Sequence, residues 1–211
     1  TYASTITAIA QSTTPDANLA ISLFCEAKRL DLANAITYNS TIDAIAKSAT
    51  LDANLEATAC LLLDEIVQRF NRPDMKHGSL IDLHELSYGE VYFGLKRRLS
   101  NELKNINSSE IKLQIIYGRG SHSHARFAAS EHPLKEAVKR MIEEMSAQGV
   151  SGQENPDNPG RIDLIINPLS LQFTGLGFNS IFSGSQRTNV NPSASPFVPT
   201  QQFLTKKFKG I

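Results

Sequence analysis

The chain has 211 residues, 41 % apolar and 20 % charged, which suffices for a buried core and excludes disorder of the whole chain. Lys plus Arg and Asp plus Glu both total 21, so the formal charge is zero. A chain that blankets phosphates needs a basic excess, so only a local basic patch stays open here. Its apolar runs are too short to span a bilayer, and no membrane partner is expected. Two cysteines, Cys25 and Cys60, rule out a disulfide framework; read as buried helical thiols, they fit a reducing, intracellular setting. The chain begins at Thr1 without an initiator Met or a signal-peptide pattern, which reads as a piece of a longer protein.

The N-terminal third repeats itself. Thr1-Tyr2-Ala3-Ser4-Thr5-Ile6 realigns with Thr37-Tyr38-Asn39-Ser40-Thr41-Ile42, an offset of 36, and the match runs on to Asp16-Ala17-Asn18-Leu19 against Asp52-Ala53-Asn54-Leu55. Within each unit Ile6, Ile9, Ala10 and Ile42, Ile45, Ala46 recur at helical spacing. A polar break follows, then a second helix, over residues 19–30 in the first unit and 55–70 in the second. Each unit is thus a helical hairpin, and such units bury their faces by stacking.

The run Thr37-Tyr38-Asn39-Ser40-Thr41-Ile42-Asp43-Ala44 with Ala46-Lys47-Ser48 resembles the pentatricopeptide (PPR) repeat family, over residues 1–75. The likeness implies single-stranded RNA as partner and places Asn39 at the family's base-selecting position. Read without the family, the two units are a docking or capping piece of a longer array.

Residues 71–78 form a polar linker with Pro73 and Gly78. Residues 80–84 read as a short strand. Ser87 and Glu90 then have the spacing of a capping box, and Val91, Leu95, Leu99 and Leu103 form the buried stripe of a helix. Residues 111–117 read as a second strand, ending in Gly118-Arg119-Gly120. A Ser- and His-rich loop leads to a helix from Pro133, with Ala137, Val138, Met141 and Met145 on its apolar face. A polar loop over 149–160 precedes a last strand over 161–167. The whole reads as α+β: hairpin repeats over 1–75, a β-α-β-α-β domain with a mixed sheet over 76–167, and a tail over 168–211. The strand–helix alternation predicts parallel neighbours joined by right-handed crossovers.

Asp82 and His84 stand two apart at the end of the first strand, so both point to one face while Leu83 points into the core. Gly118-Arg119-Gly120 ends the next strand. Ligands bind at that edge of open α/β sheets, and glycines there let backbone N–H groups approach a phosphate. Asp82 can orient His84 or hold a divalent metal, with His84 or a metal-bound water acting in phosphodiester hydrolysis. Glu85 adds a carboxylate suited to Mg²⁺ or Mn²⁺. Arg119, His122, His124 and Arg126, with Lys135 and Lys139 on the next helix, form the best phosphate-contacting face in the chain.

Leu-Asp-X-His at one strand end and a Gly-X-Gly turn at the next, with the helix Leu134-Lys135-Glu136-Ala137-Val138-Lys139-Arg140 and Asn158-Pro159-Gly160, resemble the Smr (small MutS-related) domain over residues 80–167. The likeness implies nucleic-acid binding, with metal-assisted endonuclease activity in some members, and carries function to Asp82, His84, Gly118 and Gly120. Two positions depart from its pattern: Glu85 follows the His, and Tyr117 precedes Gly118, where it can stack on a base or bond a phosphate. Three readings follow: an RNA- or DNA-binding module, a nuclease resting on Asp82 and His84, and a non-catalytic module whose repeats or tail hold a protein or ribosomal partner.

Overall fold

Each polar break predicted between helices holds a side chain that starts the next one. In the computed structural model, which describes residues 1–72, 75, 78–105, 110–118, 133–158 and 160–167, the first four helices are α1 (Tyr2–Gln11), α2 (Ala17–Arg29), α3 (Ala35–Lys47) and α4 (Ala53–Phe70). Asp16 and Asp52 hold the same place in the two repeats, and both cap. Asp16 accepts from the Leu19 N–H at 3.0 Å; Asp52 accepts from the N–H groups of Asn54 and Leu55 at 2.9 and 2.8 Å. Asn34 and Thr37 form a reciprocal capping box that starts α3. At the core of the repeats the Tyr38 ring takes the edges of Phe24 and Phe70, with centroids 4.6 and 5.6 Å away.

Strand β1 is Leu80–Asp82, shorter than the predicted 80–84. The Ser87–Glu90 box forms as expected: Glu90 accepts from the Ser87 N–H at 2.7 Å, and the Ser87 hydroxyl accepts from the Glu90 N–H at 3.4 Å. It opens α5 (Tyr88–Asn105), which buries Val91, Leu95, Leu99 and Leu103. Each such side chain contributes about 1.5–3 kcal/mol by leaving water. Strand β2 (Ile111–Ile116) runs parallel to β1, and α6 (Pro133–Met145) buries Ala137, Val138, Met141 and Met145.

The sheet differs from the alternating prediction beyond that point. Residues 150–154 of the predicted loop are strand β3 (Val150–Glu154), which pairs antiparallel with β4 (Arg161–Ile166). Strand β4 in turn lies antiparallel to β2, giving a mixed four-stranded sheet in the order β1-β2-β4-β3. The parallel crossover is confined to β1-α5-β2. Asn155 closes the β3–β4 turn: its side chain accepts from the N–H groups of Asp157 and Asn158, and its own N–H reaches the Arg161 carbonyl. Leu113, Ile115, Ile162, Leu164 and Ile166 face the core. Six helices and this sheet make the described residues a mixed α+β structure.

Repeats and sheet share one apolar core, because α3 and α4 pack against α5. At that junction Asp43 on α3 accepts from the Ser87 hydroxyl and the Gly89 N–H, both at 2.7 Å. A side chain at Gly89 would fall 2.7 Å from the Ile42 carbonyl, so glycine lets the two backbones meet. Arg140 of α6 donates to the Ala46 carbonyl at 2.6 Å. Among the described residues, no helix is long and apolar enough to cross a membrane. The cysteine prediction needs correction: Cys25 is exposed and Cys60 half-buried, since both lie off the stripes their helices turn inward.

Candidate functional site

Strand β1 ends on an aspartate, and the chain then turns sharply. The Leu83 N–H still bonds to the Ile116 carbonyl at 2.8 Å, holding the end of β1 to β2, and Leu83 is fully buried. Asp82 and His84 project outward, their side chains 61 and 56 % exposed. Oδ1 of Asp82 accepts from the His84 backbone N–H at 2.9 Å and pairs with Nδ1 of its ring. Partial burial raises the Asp82 carboxyl pKa, but these two bonds and the charge of the protonated ring outweigh it and leave the group below its ordinary value.

Gly118 seats the other side of the ring. Its φ is +83°, in the region that favours glycine, and a Cβ there would lie 2.7 Å from Nε2 of His84. The turn after β1 thus provides the imidazole, and the glycine two residues past β2 leaves room for it. The N–H groups of Tyr117 and Gly118 already bond to the Gly160 carbonyl, at 3.0 and 3.3 Å, so the Gly118 amide is committed and does not point at a ligand.

The turn after His84 is held from the repeat side. Glu85 has φ +70°, a left-handed conformation that costs a non-glycine residue about 1 kcal/mol. Arg72, just past α4, donates to the Glu85 carbonyl and to both carboxylate oxygens of Glu90, at 3.2 and 3.1 Å. Glu90 is 2 % exposed, so this ion pair is shielded and anchors the turn. Arg72 falls in the segment that reads as a linker, and its partner Glu90 lies 18 positions on, so no local spacing marks the pair.

The remaining predicted residues are dispersed. Tyr117, expected to stack on a base, is 3 % exposed, because it extends the inward alternation of Leu113 and Ile115. Burial raises its phenol pKa, and Lys135 counters that. Lys135 and Lys139 both meet Glu154 on β3, at 2.9 and 3.3 Å, and these two lysines hold the Glu154 carboxyl below its ordinary pKa. Arg140, on the same helix, is turned to the Ala46 carbonyl, to Glu144 and to the Tyr92 ring. Asn39 is half-buried on α3, and its Oδ1 is shielded with no hydrogen-bond partner among the described residues. To read a base it has to turn outward. Arg119, Gly120, His122, His124 and Arg126 lie outside the described residues, as does the tail.

Charge is unevenly divided. The described residues carry more Asp and Glu than Lys and Arg, so the balancing cations fall in segments outside them, Arg119, Arg126 and Lys206 included. Many described cations are paired: Lys28 with Glu65, Lys96 with Glu56, Arg97 with Asp64 and Arg98 with Glu102. Among the described residues, no three His, Cys, Asp or Glu side chains converge as metal ligands. Asp82 and Glu85 are the carboxylates nearest His84 in the chain, and a hydrated Mg²⁺ or Mn²⁺ needs only one or two such ligands. Compared with known proteins, the chain matches no protein-family model and no curated protein.

Proposed function

We propose that this chain binds single-stranded nucleic acid, RNA first and DNA second, and that its Asp82–His84 edge cleaves phosphodiesters weakly. In this reading residues 80–167 act as an Smr-like domain and the hairpins as PPR-like repeats. The observation that carries it is the ring of His84, held by Asp82 on one side and seated against Gly118 on the other. An aspartate that accepts Nδ1–H leaves Nε2 with its lone pair, the tautomer a general base requires. Neutral His84 would take a proton from the attacking water at Nε2, and Asp82 would stabilise the imidazolium that forms. Asp82 and Glu85 would hold a hydrated Mg²⁺ or Mn²⁺, whose charge offsets that of the phosphodiester when it is bound. Arg119 and Arg126 would supply cations for the backbone, joined by Lys135 and Lys139 where a phosphate displaces Glu154 from them.

The test combines anisotropy titrations of labelled single-stranded RNA at rising salt with a cleavage assay containing Mg²⁺ or Mn²⁺. Affinity should fall steeply with salt, and reversing Arg119 and Arg126 together should weaken binding across all sequences. Asp82→Ala and His84→Ala should abolish cleavage while binding stays within about threefold, as expected for residues that act mainly on the reacting group. Gly118→Ala should displace the ring and behave like His84→Ala. Absent binding at low salt, or equal residual cleavage in every variant, would falsify the reading. The paired cations and the zero net charge of the chain favour a second reading, a non-catalytic module that holds a protein or ribosomal partner. It predicts no RNA affinity above background in the first titration.

A further inference from the structure

His84 stands on a turn that its own sequence does not favour. The turn runs from Leu83 to Leu86 and is closed by the Leu86 N–H on the Leu83 carbonyl, at 3.2 Å. Both ends are fixed, since Leu83 and Leu86 are buried and Leu83 is tied to the Ile116 carbonyl. The two central residues, His84 and Glu85, are exposed, so packing does not set their conformation. Glu85 is the third residue of the turn, and its φ of +70° is one that turns ordinarily give to glycine or asparagine. The commonest turn has negative φ at that position and differs mainly by a reversal of the central peptide. Relaxing Glu85 would therefore turn over the His84–Glu85 peptide, and with it the backbone that carries the ring.

One side chain from outside the turn opposes that relaxation. Helix α4 ends on Asn71 in the left-handed region, and Arg72 follows it. The guanidinium donates to both oxygens of Glu90, from Nε at 3.2 Å and from Nη2 at 3.1 Å, and Nη2 also donates to the Glu85 carbonyl. Glu90 is itself fixed, buried and accepting from the Ser87 N–H at 2.7 Å. Two bonds to one buried carboxylate orient a rigid, planar fork, so the bond to Glu85 has a set direction. A lysine in this place keeps the charge pair but lacks the fork.

We propose that Arg72 is the positioning residue of the Asp82–His84 edge: by holding the Glu85 carbonyl it keeps the strained turn in place and the His84 ring seated between Asp82 and Gly118. Asp82 and Gly118 define where the ring fits, and Arg72 holds the backbone on which it is mounted. The site is then incomplete without a residue that precedes β1 and leaves the second hairpin. This role rests on the proposed catalytic use of His84, but the tautomer of the ring reports its positioning with no reaction taking place.

The test records long-range proton–nitrogen correlation spectra of the isotope-labelled full chain, metal-free and at a pH where the ring is neutral. His84→Ala assigns the signal. In the wild type His84 should show the Nδ1–H tautomer. In Arg72→Lys the signal should move toward the Nε2–H form that prevails in a free imidazole side chain. Adding Glu85→Gly to Arg72→Lys should restore Nδ1–H, because glycine holds a positive φ without a clamp. In the cleavage assay with Mg²⁺ or Mn²⁺, Arg72→Lys should lower kcat about tenfold with KM within about twofold, as when a reacting group is misplaced. Should Arg72→Lys fail to fold, Arg72→Met with Glu90→Gln replaces it, which removes both charges, keeps an acceptor at the start of α5 and should shift the tautomer in the same way. A folded Arg72→Lys with the wild-type tautomer, or with unchanged kcat in a chain that cleaves, overturns the proposal. So does a tautomer change that Glu85→Gly fails to repair, which would make Arg72 a prop for the fold alone. A wild type that cleaves nothing while the tautomer series runs as stated sinks the nuclease reading and leaves the positioning of His84 established.

Discussion

Thr5-Ile6-Thr7-Ala8-Ile9-Ala10 in α1 and Thr41-Ile42-Asp43-Ala44-Ile45-Ala46 in α3 differ at one position in six, yet Thr5 and Ala8 are exposed and Thr41 and Ala44 are not. Leu19 is 48 % exposed and its copy Leu55 8 %. Burial here belongs to what lies next to a helix, as expected where each unit meets only its neighbours. The position that does differ teaches the complementary point. Thr7 becomes Asp43, and Asp43 is where the second hairpin meets the start of α5. One turn on, Gln11 becomes Lys47, whose ammonium lies 5.1 Å from the centre of the Tyr88 ring. The repeats diverge where the second one has a different neighbour.

Paired substitutions sharpen that contrast. The largest effect is expected at the tyrosines. Tyr38→Ala removes a fully buried ring and both its aromatic contacts and should cost about 3–5 kcal/mol. Tyr2→Ala, at the half-covered copy, should cost about 1 kcal/mol or less in the same urea titration. Comparable losses at the two sites would mean that the first hairpin is covered in solution.

Next come the alanines. Ala44→Leu forces three carbons into a filled site and should cost about 1–3 kcal/mol, whereas Ala8→Leu should stay within about 0.5 kcal/mol. Thermal midpoints of the two variants read the difference directly.

The smallest effect concerns the divergent position. Asp43→Ala leaves the Ser87 hydroxyl and Gly89 N–H without their acceptor and should cost about 1–2 kcal/mol, more than Thr7→Ala. Asp43→Asn keeps an acceptor oxygen and should cost less. Burial raises the Asp43 carboxyl above its ordinary value, although Gly89, Ser87 and Lys47 pull it down. A raised folded pKa means that ionisation opposes folding: the penalty is fully present above the folded value and is relieved as pH falls through it. Asp43→Asn should flatten that stretch of the stability profile. An unchanged profile would show that the carboxylate is not strained at the junction.

Local sequence was enough for the helices, because their signals act over one or two turns. Apolar spacing marked α1 to α6, polar breaks separated the paired helices, and Ser87 with Glu90 marked the start of α5; that Asp16 and Asp52 cap the second helices came from the structure. Strand alternation predicted that Asp82 and His84 share a face; they do meet, but β1 ends at Asp82 and the pair forms in the turn that follows, where Asp82 accepts from the His84 N–H. The β3–β4 hairpin was not legible. Val150-Ser151-Gly152-Gln153-Glu154 lies at the sheet edge and buries only Val150, so it lacks the alternation that marks a strand, and β4 supplies its register. In α2 and α4 the apolar runs did not show that Cys25 and Cys60 lie off the inward stripe, hence their misplaced burial. The site depended most on contacts distant in the chain: Gly118 against His84, Arg72 on Glu85 and Glu90, and Glu154 between Lys135 and Lys139. A residue's type limits the bonds it can make, but packing decides which partner it meets, and so which of these cations and aromatics remain available to a ligand.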